Sequence, residues 1–222
     1  MTTLIFDSST QTVYTDSRVT TEGAEVPNTY EKGIKACYKP YGEYIVTGAG
    51  CVSLIQRAMF GVTSLLPSYR SNELNTCLYY IYKQGSNGLL VHRYKPTPRF
   101  FWDSLKFMFG LPVNSYEKTE ISLKNGDIFC AGSGFNFAYA AHEALKDKFE
   151  HKQALIQEVY RIVESLDPYT DTDVKTYNFS ENEEEREECE WNEEELDDLK
   201  FYRQAAKDLG NQFGTTGAEW LS

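Results

Sequence analysis

The order of strand-like and helix-like segments in this 222-residue chain predicts an α+β fold, a sandwich of two antiparallel β-sheets with helices packed outside them. Strand pairs come first, followed by a helix, more strands, two helices and a last strand. Strands and helices do not alternate one for one, so parallel βαβ units do not describe the sequence. A hydrophobic content of 41% supplies enough apolar side chains to fill a core between such layers.

The first fifty residues are predicted as strands and turns. Residues 3–6 form a short apolar run, residues 8–11 are typical of a turn, and residues 12–15 begin a second strand. A third strand at 44–46 is closed by the glycine-containing turn 48–50.

The middle of the chain predicts one helix followed by a hairpin. Residues 51–66 carry apolar side chains at helical spacing, which are Leu54, Ile55, Ala58, Met59 and Val62. Strands are predicted at 78–82 and 89–91, because the intervening residues 83–88 are rich in turn formers.

Residues 95–125 hold an aromatic cluster between prolines. Its members are Phe100, Phe101, Trp102, Phe107 and Phe109, bracketed by Pro96, Pro98 and Pro112. One interpretation is an extra hairpin or helix packed on the body of the domain. The other is an exposed apolar patch that binds a partner.

Strand and helix patterns return after residue 126. A strand at 127–131 leads into the glycine turn 132–134 and a helix over 136–148. Residues 152–166 form an amphipathic helix, with Leu155, Val159, Ile162 and Leu166 on one stripe. A closing strand is predicted at 174–179.

The acidity of the chain is concentrated in one segment. The net charge is −11, and residues 181–200 alone carry 12 acidic and 2 basic side chains. This balance argues against nucleic acid as the main partner. Residues 180–222 therefore read as an acidic C-terminal extension with a helix at 193–209, either a solvated linker or an arm that binds a basic partner. Trp191 and Trp220 indicate that parts of this extension pack against another surface, such as a neighbouring subunit.

Several features predict a cytoplasmic protein without cofactors. The N-terminus lacks the basic and apolar regions of a secretory signal, and no apolar run approaches the roughly 18 residues of a membrane helix. Cysteines are odd in number, none forms a Cys-x-x-Cys pair, and the histidines lack zinc-site spacing, so we expect neither a disulfide framework nor a metal site. The cysteines are Cys37, Cys51, Cys77, Cys130 and Cys189.

The first residues carry a pattern that points to chemistry. Met1 is followed by the small residue Thr2, so its removal would leave Thr2 with a free α-amine beside its hydroxyl. An N-terminal threonine can act as a nucleophile, because its own amine lies within reach of the hydroxyl proton.

The surroundings of Thr2 resemble the opening of proteasome β-subunits and of the bacterial HslV-type peptidase. The Thr2-Thr3 pair is followed by a hairpin that ends in Asp16-Ser17-Arg18-Val19-Thr20. Further similar segments follow in the same order as in the family, at 32–35, 44–50, 131–140, 167–171 and 174–179. The resemblance spans residues 2–179, with about 95–125 as an insertion.

The resemblance implies a four-layer αββα N-terminal-nucleophile hydrolase and a role for each matching residue. Thr2 would attack an acyl carbon, with its own amine as general base. Asp16 would fix a catalytic lysine, which is Lys35 or, as the less favoured match, Lys32. The Gly50 backbone N–H would serve as an oxyanion donor. Three further residues would hydrogen-bond around the amine, namely Ser133, Asp167 and Thr170.

The sequence also departs from the family pattern. After Gly50 the family usually has an acidic residue, whereas residues 51–54 here have none. Asp171 and Asp173 stand where the family has glycines, which adds two negative charges beside the expected site. The spacing from Lys35 to Gly50 is also about one residue longer than in the family.

Two functions follow as alternatives. The first is a threonine-type peptidase or amidohydrolase that acts on peptide or protein substrates. The resemblance implies that such an enzyme forms a self-compartmentalising homo-oligomeric ring of six or seven subunits, with an ATP-dependent unfoldase as a further partner. The second is a catalytically inactive proteasome-like scaffold, or binding protein, that acts through its aromatic insertion and acidic tail.

Overall fold

The computed structural model describes residues 2–20, 30–38, 44–61, 66–98, 101–124 and 126–179. The strands in these ranges are β1 Thr3–Asp7, β2 Thr12–Asp16, β3 Arg18–Thr20, β4 Tyr30–Lys32, β5 Ala36–Tyr38, β6 Tyr44–Ala49, β7 Cys77–Lys83, β8 Gly88–Pro96, β9 Tyr116–Lys124, β10 Ile128–Gly132 and β11 Val174–Asn178. The helices are α1 Val52–Phe60, α2 Phe101–Met108, α3 Phe135–Leu145 and α4 Lys152–Leu166, with a short 3-10 helix at Ser71–Glu73. The predicted acidic extension at 180–222, including its helix at 193–209, lies outside the described residues.

The strands form two antiparallel sheets, as the sequence predicts. One sheet has four strands in the order β10-β1-β2-β11, and the other has five in the order β5-β6-β7-β8-β9. A separate ribbon joins β3 to β4. The four-stranded sheet contains the N-terminal hairpin, in which Leu4 faces Thr15 and Phe6 faces Val13.

Strand β1 shows why the layers stack as they do. Its side chains alternate between two faces, and all five of its residues are buried. Leu4 and Phe6 join the core cluster that both sheets share, whereas Ile5 joins the cluster beneath α3 and α4. The four-stranded sheet is therefore covered on one face by the other sheet and on its opposite face by two helices.

Helix α4 has the predicted bounds but a shifted buried stripe. The residues it buries are Leu155, Ile156, Val159, Tyr160 and Val163. Leu166, predicted on the stripe, is 54% exposed because it occupies the last position of the helix, beyond the buried stripe. In the described ranges, no helix has the length and apolar character needed to cross a membrane.

Helix α1 covers the outer face of the five-stranded sheet. Ala36 on β5 faces the core between the sheets, so its neighbour Cys37 faces outward, where its thiol donates to the carbonyl of Met59 at 3.2 Å. Helices thus lie on both outer sides of the two sheets, which confirms the predicted αββα order. Gly61 leaves the helical conformation and ends α1 at Phe60, whereas residues 62–65 of the helix predicted over 51–66, Val62 among them, lie outside the described residues.

The stretch at 95–125 agrees in part with both interpretations of the sequence, because it adds a strand and a helix to the domain and also exposes apolar side chains. Strand β9 pairs along the whole of β8, from Gly88 opposite Lys124 to Pro96 opposite Tyr116, and so extends the sheet. Helix α2 exposes large apolar side chains, with Phe101 at 76% and Trp102 at 69%. The three-residue strands β3, β4 and β5 were not predicted, because so short a segment contains no readable alternation.

Tyr160 ties the N-terminal hairpin to α4, and this contact is testable. Its fully buried hydroxyl lies 3.0 Å from the carbonyl oxygens of both Thr3 and Tyr14, on neighbouring strands. We expect Tyr160→Phe to lower the free energy of unfolding by about 1–3 kcal/mol, because two buried carbonyls lose their donor. Urea unfolding measures the effect, with exposed Tyr139→Phe as control. Equal stability of the two variants would contradict this role for the hydroxyl.

Candidate active site

Thr2 lies where β1 begins, and the hairpin brings Asp16 beside it. Because Leu4 faces Thr15, the start of β1 meets the end of β2. The Thr2 hydroxyl donates to the Asp16 carboxylate, and the N–H of Thr3 donates to Asp16 Oδ1 at 2.9 Å. Both Thr2 and Asp16 are buried, and the pairing of β1 with β2 places the hydroxyl beside the carboxylate.

Lys35 reaches the same hydroxyl from the other sheet. Its Nζ lies 2.9 Å from Thr2 Oγ1 and 2.6 Å from Asp16 Oδ2. The backbone of Lys35 is held in turn, because Thr47 on β6 donates its hydroxyl to the Lys35 carbonyl at 2.6 Å. The Thr2 hydroxyl therefore donates to a carboxylate and accepts from an ammonium.

Burial shapes the protonation of this ion pair. Loss of water raises the pKa of Asp16, and the Lys35 charge opposes that rise. Loss of water likewise lowers the pKa of Lys35, against the opposing charges of Asp16 and Asp171. Each partner is the main group that keeps the other ionised.

A second polar cluster lies against the main chain of Thr2. The N–H of Ser133 donates to the Thr2 carbonyl at 2.8 Å, and its hydroxyl donates to Asp167 Oδ2 at 2.6 Å. The Thr170 hydroxyl donates to the same oxygen at 2.9 Å and lies 2.6 Å from the hydroxyl of Thr3. Ser133, just before α3, and Asp167 and Thr170, just after α4, thus lie against Thr2 and Thr3.

Gly132 permits this convergence. It has a φ of +93°, and a Cβ added to it would lie 1.7 Å from the Thr2 carbonyl oxygen. A side chain there would push β10 away from Thr2, together with the N–H that Ser133 donates.

The two acids that depart from the family pattern hold the residue after Asp16. Asp171 accepts from the Ser17 N–H at 3.1 Å and from its hydroxyl at 3.0 Å, and Asp173 Oδ2 also lies 3.0 Å from that hydroxyl. The extra negative charge therefore lies beside the site, where Asp171 favours the charged form of Lys35.

A cavity of about 30 Å³ opens beside Thr2. Gly50, with a φ of +126°, forms part of its wall. The remaining lining residues are Arg18, Val19, Ile34, Lys35, Gly48, Val52, Ile55 and Gln56. The nucleophile candidate and the Gly50 backbone therefore face one small space with an apolar side.

The structure brings the favoured residues of the sequence analysis together. Thr2, Asp16 and Lys35 are in mutual contact, and the cluster of Ser133, Asp167 and Thr170 adjoins them. Lys32 lies on β4 opposite Arg18, and its side chain lies outside the described residues.

Sequence reasoning missed three residues that support this site. Thr3 contacts both clusters, Ser17 links Asp16 to the acids after α4, and Thr47 holds Lys35. For Thr3, the available sequence signal was its place directly after Thr2. Ser17 belongs to the 16–20 segment that resembles the family, whereas Thr47 had no signal, because its partner Lys35 lies 12 residues away.

Comparisons with known proteins bear on the fold. No protein-family model matches the sequence, and no curated protein matches it significantly. The structure of Anbu from Hyphomicrobium sp. strain MC1 aligns with a TM-score of 0.50 at 10% identity, covering 98% of this chain and all of that one. This likeness over nearly the whole chain shows a shared fold.

Two further structures are similar over less of the chain. HslV from Trypanosoma brucei aligns at 15% identity over 79% of this chain and 97% of its own, with a TM-score of 0.47. BPH from Thiobacillus denitrificans, in complex with epoxomicin, aligns at 10% identity over 82% of this chain and 100% of its own, with a TM-score of 0.44. The likeness to Anbu confirms the predicted fold.

The close approach at Gly132 can be separated from its backbone conformation. We expect Gly132→Ala to lower the free energy of unfolding by at least about 2 kcal/mol, because the new Cβ would strike the Thr2 carbonyl. Gly126→Ala is the matched control, since Gly126 also has a positive φ but nothing within 4 Å of an added Cβ. Its cost is limited to backbone strain, about 1 kcal/mol. Equal losses in urea unfolding would show that the contact with Thr2 is unimportant.

Proposed function

We propose that this chain is an N-terminal-nucleophile hydrolase that cleaves peptide or amide bonds through Thr2 after Met1 is removed. One observation carries the proposal: the Thr2 hydroxyl lies between the Asp16 carboxylate and the Lys35 ammonium, beside an accessible cavity. A buried hydroxyl between a carboxylate and an ammonium is suited to a reaction in which its oxygen becomes negatively charged. A threonine with a purely structural role does not need such a charged pair.

The reaction would proceed through an ester on Thr2. As Thr2 Oγ bonds to the acyl carbon, its proton passes to the Thr2 α-amine, which delivers it to the leaving amine when the C–N bond breaks. Water then attacks the ester, and its proton returns through the same amine to Oγ as the acid leaves. Lys35 would stabilise negative charge on Oγ, and Asp16 would hold Lys35 and orient the hydroxyl.

The remaining predicted residues act around this step. The Gly50 N–H would donate to the oxygen of the tetrahedral intermediate, since Gly50 lines the cavity. Ser133, Asp167 and Thr170 adjoin the main chain of Thr2 and would orient the freed amine. Val52 and Ile55 give the cavity an apolar wall, which favours substrates with an apolar residue before the cleaved bond.

Assembly and location are part of the same proposal. The fold shared with HslV and Anbu favours a homo-oligomeric ring that encloses the sites, with an ATP-dependent unfoldase as the further partner expected from the resemblance. We place the chain in the cytoplasm, where its cysteines would stay reduced.

A catalytically inactive scaffold is the second candidate. It is favoured by the exposed apolar side chains on and after α2, which a hydrolase site does not require: Phe101, Trp102, Met108, Phe109 and Leu111. A scaffold needs neither a free Thr2 amine nor turnover.

Intact mass and turnover distinguish the two functions. We expect the natively expressed chain to be lighter by one methionine, and Thr2→Ala to lower peptide hydrolysis by at least about a thousandfold, because the attacking oxygen is lost. Thr2→Ser, which keeps a hydroxyl, is the matched control and should retain measurable turnover. Retained Met1, or a Thr2→Ala variant as active as the wild type, would exclude the threonine mechanism.

The pH dependence follows from the buried pair. Turnover requires the neutral Thr2 α-amine, whose reference pKa is about 8, and the Asp16 carboxylate, whose pKa burial raises above its usual value of about 4. Turnover therefore falls as the pH drops through the higher of these two pKa values. It also requires the Lys35 ammonium, so it falls as the pH rises through a Lys35 pKa lowered below about 10.4.

We therefore expect a bell-shaped plot of kcat against pH, with an acidic limb set by the amine or by Asp16 and an alkaline limb below the usual range of a lysine. Circular dichroism at each pH controls for unfolding. In Lys35→Arg the guanidinium stays charged, so the remaining turnover should lose its alkaline limb. If turnover of Lys35→Arg still fell at the same high pH as in the wild type, a group other than Lys35 would be responsible for that fall.

A further inference from the structure

The turn that carries Gly50 is supported by a remote segment that the proposed mechanism does not use. Thr76 lies just before β7 and is fully buried. Its Oγ1 accepts a hydrogen bond from the Cys51 N–H at 2.9 Å. The peptide group between Gly50 and Cys51 is therefore held by a side chain 25 residues further along the chain.

Thr76 also packs directly against Gly50. A Cβ added to Gly50 would lie 2.6 Å from Thr76 Cα and 2.9 Å from Thr76 Oγ1, and 3.0 Å from the Asn75 carbonyl. Thr76 and Asn75 therefore fill the space that a side chain at position 50 would need. The Gly50 backbone, with its φ of +126°, is bounded by this packing on one side and by the Cys51 hydrogen bond next to it.

A buried carboxylate anchors Thr76 to α1. The N–H of Thr76 donates to the Glu73 carbonyl at 3.1 Å, and Glu73 is 2% exposed. The Glu73 carboxylate accepts from Arg57 Nη2 at 2.8 Å and from the Ser53 hydroxyl at 2.8 Å, both on α1. It also accepts from the Arg70 N–H at 2.8 Å. Glu73, with its hydrogen bonds to Thr76, Ser53 and Arg57, forms a clamp that joins Thr76 to the start of α1. The turn at Gly50 lies between these two segments.

We infer that Thr76 is a positioning residue for the proposed hydrolysis, which sets the direction of the Gly50 N–H toward the acyl oxygen. The inference rests on the proposed function. An oxyanion donor must lie about 2.7–3.1 Å from the oxygen on which charge develops, and must be held within about 0.5 Å of that position, so the turn that carries it must not relax. The hydroxyl is the needed group, because a methyl in its place would leave the Cys51 N–H without its acceptor.

Three variants test this role. Thr76→Val keeps the shape and removes the acceptor, whereas Thr76→Ser keeps the acceptor. Thr12→Val is the matched control, since Thr12 is buried, its hydroxyl bonds to the nearby Thr10 carbonyl at 3.0 Å, and it lies at the opposite end of β2 from Asp16. The readouts are kcat and KM for an apolar peptide substrate, and hydrogen exchange of the Cys51 amide by NMR.

The expected result separates positioning from general stability. Thr76→Val should lower kcat by about 10- to 100-fold with KM changed less than about threefold, because the misplaced donor acts mainly in the transition state. The Cys51 amide should exchange faster in this variant only. Thr76→Ser and Thr12→Val should keep kcat within about threefold of the wild type.

The outcomes distinguish this inference from the proposed function. An active wild type whose Thr76→Val variant keeps the wild-type kcat overturns the inference alone. A wild type without turnover overturns the proposed function and the inference with it. If Thr76→Val does not fold, Glu73→Gln loosens the same clamp while keeping its shape. A lowered kcat at constant KM then supports the inference, and an unchanged kcat overturns it.

Discussion

The buried contact between Lys35 and Asp16 is the interaction on which the rest of the site depends. Lys35 directly precedes a strand of the five-stranded sheet, and Asp16 ends a strand of the four-stranded sheet, so their 2.6 Å ion pair joins the two layers. Removing either charge would leave the other buried and unpaired, at a cost of about 3–5 kcal/mol. A pair this expensive to break holds the Thr2 hydroxyl at a fixed place between the sheets.

The antiparallel register explains how distant segments of the chain share one site. Thr3 faces Gly132 on β10, and Asp16 faces Val174 on β11. The start of β1 and the end of β2 thus lie at the same end of the four-stranded sheet, together with the turns that flank α3 and α4. Since these two helices pack on the sheet through Ile5 and Tyr14, the same core that stabilises the domain also positions the site.

Nucleophile and cavity wall come from different layers. The four-stranded sheet supplies Thr2 and Asp16, whereas the cavity is closed by the end of β6 and the first turn of α1, at Gly50, Val52 and Ile55. In the proposed hydrolase, the attacking hydroxyl and the apolar wall of the cavity would therefore lie on separate elements, which meet where the two sheets pack together. Changes in α1 can alter the shape of the cavity while the hydroxyl and its ion pair stay in place.

The sequence by itself determined the layers and the favoured members of the site. A short apolar run and the turn residues after it identified β1 and β2, helical spacing identified α4, and the resemblance of short motifs in order placed Thr2, Asp16 and Lys35 in one predicted site. Only the tertiary structure decided the length of α1, the short strands β3 to β5 and the supporting contacts of Thr47 and Thr76. These contacts join backbone and side-chain groups that come together only on folding, so no local pattern in the sequence records them.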